Sequence, residues 1–223
     1  THSIVVEKKV STGIAFIAVD SSSENIIYVS GGANDSLSPL ETKRIKIKKG
    51  DIVLATLETP IESTKQLFGR ARKIGAKTIL NAAPAILGAR TIFPLVDYLV
   101  VNETELSIFT RTKIPQSIKD AIISARKLVN DVMNVIATLG KKGAVVLTAE
   151  KTIAVRGHRV KAIDTTAAGD CFVGAFAVAL QEGKTIEKAM GFANAAAAIS
   201  VQHLGASVSL PTRNEVKKFI SKL

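Results

Sequence analysis

The stretch "IDTTAAGDCFVGAFAVAL", residues 163–180, decides how this chain is read. An apolar residue gives way to an acid and two threonines. Small residues then lead to Asp170, after which the sequence turns apolar with helical spacing. The pattern predicts a tight turn running into a helix, with Ala167, Ala168 and Gly169 leaving the backbone open to approach. Free amides and the helix dipole at such a start favour an anion. Asp170 would then stand where it can accept a proton from a hydroxyl attacking a phosphoryl group held by those amides. The same letters also fit a plain helix start, with Asp170 as cap and Gly169 as turn former.

Outward from this stretch, short apolar runs alternate with helical patterns. "DIVLATLE" (51–58) reads as a strand buried on both faces. "KTILNAAP" (77–84), "VDYLVVN" (96–102), "NVIATLG" (134–140), "GAVVLTAE" (143–150) and "TIAVRG" (152–157) read as further strands. Helices are predicted from Pro60 to a C-cap at Gly75, over 117–131, around 170–182 and 186–202, and in the closing "PTRNEVKKFISKL". Ser38 and Pro39 of "LSPL" mark a helix start. Strands alternating with helices predict a parallel sheet covered on both faces. "VSTGIAFIAVD" (10–20) and "NIIYVSG" (25–31), separated by "SSSE", form a hairpin outside that pattern.

The 223 residues suffice for one large α/β domain, and 47% hydrophobic residues with no Trp imply an aliphatic core. One cysteine, Cys171, excludes an internal disulfide framework and points to a reducing, cytoplasmic setting. No apolar run approaches the roughly 20 residues of a membrane span, and no secretory signal is read at the start. The net charge of +11 raises nucleic acid as a partner, but the basic clusters lack interleaved aromatics. Neither nucleic acid nor a membrane is expected.

Three other motifs stand at strand ends. Asn102 and Glu105 of "NETE" offer oxygens to a Mg²⁺ region, or else a capping box. Thr138 and the two glycines of "TLGKKG", Gly140 and Gly143, can grip a nucleotide or simply close a hairpin. Glu58 in "TLETP" can meet a substrate hydroxyl. His2, His158 and His203 have no metal-ligand spacing, and Cys171 is read as a packed helix residue.

Taken in order, "DTTAAGDCFVGA", "NETE", "STGIAFIAV", "NIIYVSGGAN", "LETPIES", "LNAAPA", "TLGKKG" and "FANAAAAISVQHLGAS" resemble segments of the ribokinase or PfkB-type carbohydrate kinase family, from about residue 10 to 212. The resemblance lies nearer the ribokinases than the adenosine kinases or fructokinases. It implies a three-layer α/β/α fold with a mainly parallel central sheet and part of a β-sheet lid, the hairpin at 10–31. It implies phosphoryl transfer from ATP to a sugar hydroxyl, that of D-ribose giving ribose 5-phosphate, with Mg²⁺ and a monovalent cation, usually K⁺.

By the same resemblance Asp170 is the general base, and the amides of 167–170 form an anion hole. Glu58 helps hold the sugar. Asn102, Thr138, Gly140, Gly143, Gly169 and Asn194 serve the nucleotide, and Glu105 the Mg²⁺ region. The monovalent cation falls to Asp164, Thr166, Ser200, His203, Gly205 and Ser209, some through backbone carbonyls. A homodimer through the lid is implied as well.

The sequence departs from the family at the front. No βαβ segment with a Gly-Gly sugar-binding motif precedes the hairpin, and the chain starts at Thr1, so an N-terminally incomplete chain is expected. Ala82 stands where an Asn-Pro pair is common, and "VVNETE" lacks a usual preceding Pro. Loss of much of the sugar site keeps two alternatives open: a nucleotide-binding remnant without activity, and a kinase of another sugar or nucleoside.

Overall fold

The structure is a computed structural model and describes residues 4, 6–19 and 25–222. The expected hairpin turn at 21–24 and His2 lie outside the described residues. Strands β1 (Ile14–Val19) and β2 (Asn25–Ser30) pair antiparallel with Phe16 opposite Tyr28, as a sheet of their own. Ile14, Phe16, Tyr28 and Val29 are each more than 60% exposed.

The short helix α1 (Pro39–Thr42) starts in a capping box between Ser38 and Glu41. The main sheet follows: β3 (Ile52–Ala55), β4 (Lys77–Asn81), β5 (Tyr98–Val101), β6 (Asn134–Thr138), β7 (Gly143–Leu147) and β8 (Thr152–Arg156), in that spatial order. β3 to β6 run parallel, while β7 and β8 are added antiparallel.

Strand pleating builds the three layers, because successive side chains point to opposite faces. On β5, Leu99 and Val101 enter a core with Phe68, Leu106 and Phe109, under α2 (Ile61–Ile74), α3 (Glu103–Thr110) and α4 (Ile118–Ala125). Tyr98 and Val100 enter the opposite core with Phe172, Phe176 and Met190, under α5 (Ala168–Gln181), α6 (Ile186–Ser200) and α7 (Arg213–Ile220). Tyr98 and Phe176 meet edge to face at 5.3 Å.

Two expectations are corrected. The run 51–58 is not a strand buried on both faces. β3 is a four-residue edge strand with Leu54 39% exposed, because among the described residues no strand pairs with its outer side. The helix expected over 117–131 ends at Ala125. The N–H of Lys127 folds back to the Ser124 carbonyl at 3.1 Å. The Asn130 side chain then accepts from the amides of Val132 and Met133, a local turn that competes with helix and feeds β6.

Candidate functional site

The parallel strands carry their C-terminal ends to one edge, so residues 58, 102 and 138 follow β3, β5 and β6 on the same side of the sheet. The turn into α5 is held from beneath. The N–H groups of Ile163 and Asp164 donate to the Val201 carbonyl at 2.7 and 3.2 Å. The Asp164 carboxylate accepts from the Thr166 N–H at 2.8 Å and from the Gly205 N–H at 2.9 Å. The Thr166 hydroxyl first, and then these two amides, hold its pKa below the usual aspartate range.

Ala167 then takes a left-handed conformation, φ 58°, which is uncommon for a residue with a Cβ. That rotation aims the following amides away from the chain. The Ala168 N–H bends back to the Thr165 carbonyl at 3.2 Å, whereas the amides of Ala167, Gly169 and Asp170 meet no acceptor among the described residues. Of the amides at 167–170, three are thus left without a partner among the described residues and one is taken by the Thr165 carbonyl. A Cβ built on Gly169 would meet nothing within 4 Å, so the side-chain position of Gly169 faces open space.

Asp170 does not cap its helix. α5 has no side-chain cap, and the Asp170 carboxylate makes no hydrogen bond among the described residues. It is open to solvent on one side, and the protein packed behind it raises its pKa. Two acids six residues apart are therefore tuned in opposite directions. The Asp164 carboxylate is held by two backbone amides, while that of Asp170 has no hydrogen-bond partner among the described residues.

Beside this turn lies a cavity of about 270 Å³. Thr138, Gly140, Gly143, Gly169 and Asn194 all line it. "TLGKKG" forms the turn of the antiparallel β6–β7 hairpin, and three of its residues that line the cavity, Thr138, Gly140 and Gly143, stand in or beside that turn. Gly143, φ 102°, is required there, since a Cβ would collide with the Val155 carbonyl oxygen. The Asn194 side-chain amide donates to the Arg156 carbonyl at 2.8 Å, fixing α6 against the end of β8.

Lys141, Gly157, His158 and Phe172 line the cavity and were not anticipated, nor were Ala197, Ala198 and Val201. The last three had a signal. With Asn194 they recur at i, i+3, i+4 and i+7, one stripe of α6. His158 had none. It is brought in by the chain leaving β8, and burial lowers its pKa.

Asn102 and Glu105 do not line this cavity. They form the capping box of α3: the Asn102 side chain accepts from the Glu105 N–H at 2.8 Å, and the Glu105 carboxylate accepts from the Asn102 N–H at 2.8 Å and from its side-chain amide at 3.0 Å. Burial raises the Glu105 pKa, and the Asn102 N–H offsets part of that. Glu58 is exposed after β3, outside the cavity, with its N–H 3.4 Å from the Thr56 hydroxyl. No group of three or more His, Cys, Asp or Glu is placed to hold a metal among the described residues. Both Glu105 oxygens accept from Asn102, so this carboxylate would reach a Mg²⁺ carried on nucleotide phosphates through one of the waters that ion keeps.

The six residues expected at a monovalent cation fall into two joined segments. Asp164 bonds to Gly205, and the hydroxyls of Ser200 and Ser209 meet at 2.9 Å inside the protein. The His203 N–H donates to the Ser200 carbonyl at 3.0 Å. Hydroxyl and carbonyl oxygens beside one fixed carboxylate are a donor set that suits a hard monovalent ion. Cys171 is buried, and its thiol is pushed up to about 11. Among the described residues no helix is long and apolar enough to cross a membrane.

A family profile described as pfkB family carbohydrate kinase matches residues 1–213. A ribokinase from Haemophilus influenzae is 39% identical over 224 residues, covering 99% of this chain and 72% of the relative. A deoxyribokinase from Salmonella typhimurium is 35% identical, covering 95% of this chain and 70% of the relative. Among solved structures, an Arabidopsis thaliana ribokinase complexed with ribose and ATP is 32% identical with a TM-score of 0.79, covering 95% of this chain and 70% of that one.

Proposed function

The chain belongs to the pfkB family of carbohydrate kinases, and from that premise we propose that it transfers the terminal phosphoryl group of ATP to O5 of D-ribose. One observation carries the reading. Asp170 is spent on no cap, and it directly follows Gly169, whose amide is unpaired among the described residues and which lines a cavity together with Thr138, Gly140, Gly143 and Asn194. The ribokinases among its relatives, one of them solved with ribose and ATP, support the choice of sugar and nucleotide.

In this reading the nucleotide lies in the cavity, with Asn194 and the hairpin of β6 and β7 around its nucleoside end and Asn102 toward its phosphates. The amides of Ala167, Gly169 and Asp170 face the transferring group and stabilise the charge that grows on it. Asp170 accepts the proton of the sugar hydroxyl as the O–P bond forms and the bond to the ADP oxygen breaks. Its raised pKa makes that transfer easier. Glu58 holds the sugar.

Mg²⁺ bound to the nucleotide would supply charge neutralisation, with Glu105 reaching it through water. A monovalent cation, K⁺, would lie among Asp164, Thr166, Ser200, His203, Gly205 and Ser209, next to the amides. The whole of 1–223 is read as one ribokinase-like unit in the cytoplasm. The hairpin within 10–31 is its lid, and the exposed Ile14, Phe16, Tyr28 and Val29 favour a homodimer through that sheet.

A second sugar has its own support, since a deoxyribokinase is also a relative at 35% identity. ADP formation with Mg-ATP, compared between ribose and 2-deoxyribose in K⁺ and in Na⁺, tests the proposal. Ribose-dependent ADP release stimulated by K⁺ is expected. Preference for 2-deoxyribose overturns the sugar assignment, and nucleotide binding without either activity identifies a remnant.

A further inference from the structure

A groove of about 610 Å³ adjoins the cavity, sharing His158 and Asn194 with it. Its apolar lining comes from Val155, Phe192 and Ile220, contributed by β8, α6 and α7. Its rim is basic, with Arg156, Lys184, Lys188 and Lys217, and no acidic residue lines it. Lys184 is balanced by Glu182 at 3.3 Å. Arg156, Lys188 and Lys217 take part in no ion pair among the described residues.

These three cations, in no ion pair among the described residues, come from three elements that line one groove with an apolar floor. That differs from a solvated helix face, where charges point outward and pair along the helix. An apolar lining bordered by excess positive charge is complementary to an organic phosphate, whose body would pack on Phe192 and Ile220 and whose phosphate would meet cations of the rim.

The groove also touches the neighbouring cavity. His158 and Asn194 line both. The His158 ring stands edge to face on Phe219 of α7 at 5.1 Å, and Asn194 is bonded to the Arg156 carbonyl. A ligand that draws Arg156 and Lys217 together therefore acts on the two side chains that close the nucleoside end of the cavity.

We propose that the groove between β8, α6 and α7 is a second binding site, for an organic phosphate with an aromatic or apolar body, coupled through His158 and Asn194 to the cavity beside it. The coupling rests on the nucleotide reading of that cavity, whereas the site itself does not. By linkage the effect is reciprocal, so occupancy of either site changes the affinity of the other by the same factor.

Pyridoxal 5′-phosphate is a suitable probe, being an aromatic phosphate with an aldehyde. The aldehyde condenses with a lysine amine, losing water to give an imine, and borohydride reduces the imine to a stable secondary amine that peptide mass mapping locates. The labelling is run with and without saturating ADP. The expected result in both arms is a rate that saturates with reagent concentration and label concentrated on Lys188 or Lys217. Arg156→Gln should slow it several-fold. The affinity for a fluorescent ADP analogue should then differ at least about fivefold between labelled and unlabelled protein.

A rate linear in reagent, with label scattered over surface lysines, overturns the site. Selective labelling with unchanged nucleotide affinity overturns the coupling. Failure of the unlabelled protein to bind nucleotide would count against the kinase reading instead, and the arm without ADP would still report on the groove.

Discussion

The carboxylate of Asp164 accepts the backbone N–H of Gly205 at 2.9 Å, joining the turn that precedes α5 to the loop that follows α6, 41 positions away in the chain. Its other oxygen holds the Thr166 N–H, so one side chain fixes both the approach to Ala167 and the loop beside it. The unpaired amides and Asp170 are positioned by that bridge.

Asp164→Ala should therefore impair catalysis through geometry. We expect kcat to fall at least about tenfold, within the roughly 10²-fold that a 1 Å misplacement of a catalytic group can cost, with weaker stimulation by K⁺. The bridge also carries a pH signature. Because the folded-state pKa of Asp164 lies below its unfolded value, its contribution to stability is complete above the ordinary aspartate pKa. It is lost as pH falls through the lowered one. The difference in Tm between wild type and Asp164→Ala should shrink on going from pH 7 to pH 3.

The opposite shift at Asp170 predicts where activity declines. A general base must be deprotonated, so kcat/KM should fall as pH drops through a value above the ordinary aspartate pKa. An acid limb at or below that ordinary value would argue against Asp170 as the base.

The glycines separate structure from function. Gly143→Ala puts a Cβ against the Val155 carbonyl at φ 102° and should cost more than about 1 kcal/mol of stability, read as a lower Tm. Gly169→Ala meets only open space and lies in a helix, so Tm should hold or rise slightly. Its added methyl should nonetheless reduce kcat/KM, because it occupies the approach to the amides.

Cys171 tests the packing beneath the site. With its thiol pushed up to about 11 and buried, it should resist alkylation at pH 8 in the native protein and react readily in denaturant.

Much of this was legible from pattern alone. The strand runs, the Gly75 cap and the Ser38 start follow from local chemistry, and the structure repeats them. The edge position of β3 was not legible. An apolar run records what a strand is made of and does not record how many neighbours it acquires. α4 stops at Ala125, where the amides of Lys127 and Leu128 turn to the carbonyls of Ser124 and Ala125 three residues back, a tightening of the last turn that the apolar spacing does not record.

At the site, the residue types at 167–170 were readable, but the choice between a cap and a free carboxylate turned on the φ angle of Ala167, which no letter encodes. His158 joined the cavity through tertiary placement of the chain leaving β8, so composition and spacing held no trace of it.

The most direct test of the account is ADP formation from Mg-ATP and ribose by Asp170→Asn beside the wild-type chain, with nucleotide affinity measured on both. The account predicts a loss of turnover of about 10²–10⁴-fold, the usual worth of a positioned base, with nucleotide affinity retained. Unchanged turnover in the variant would contradict it, and the free carboxylate beside the three amides would then need another role.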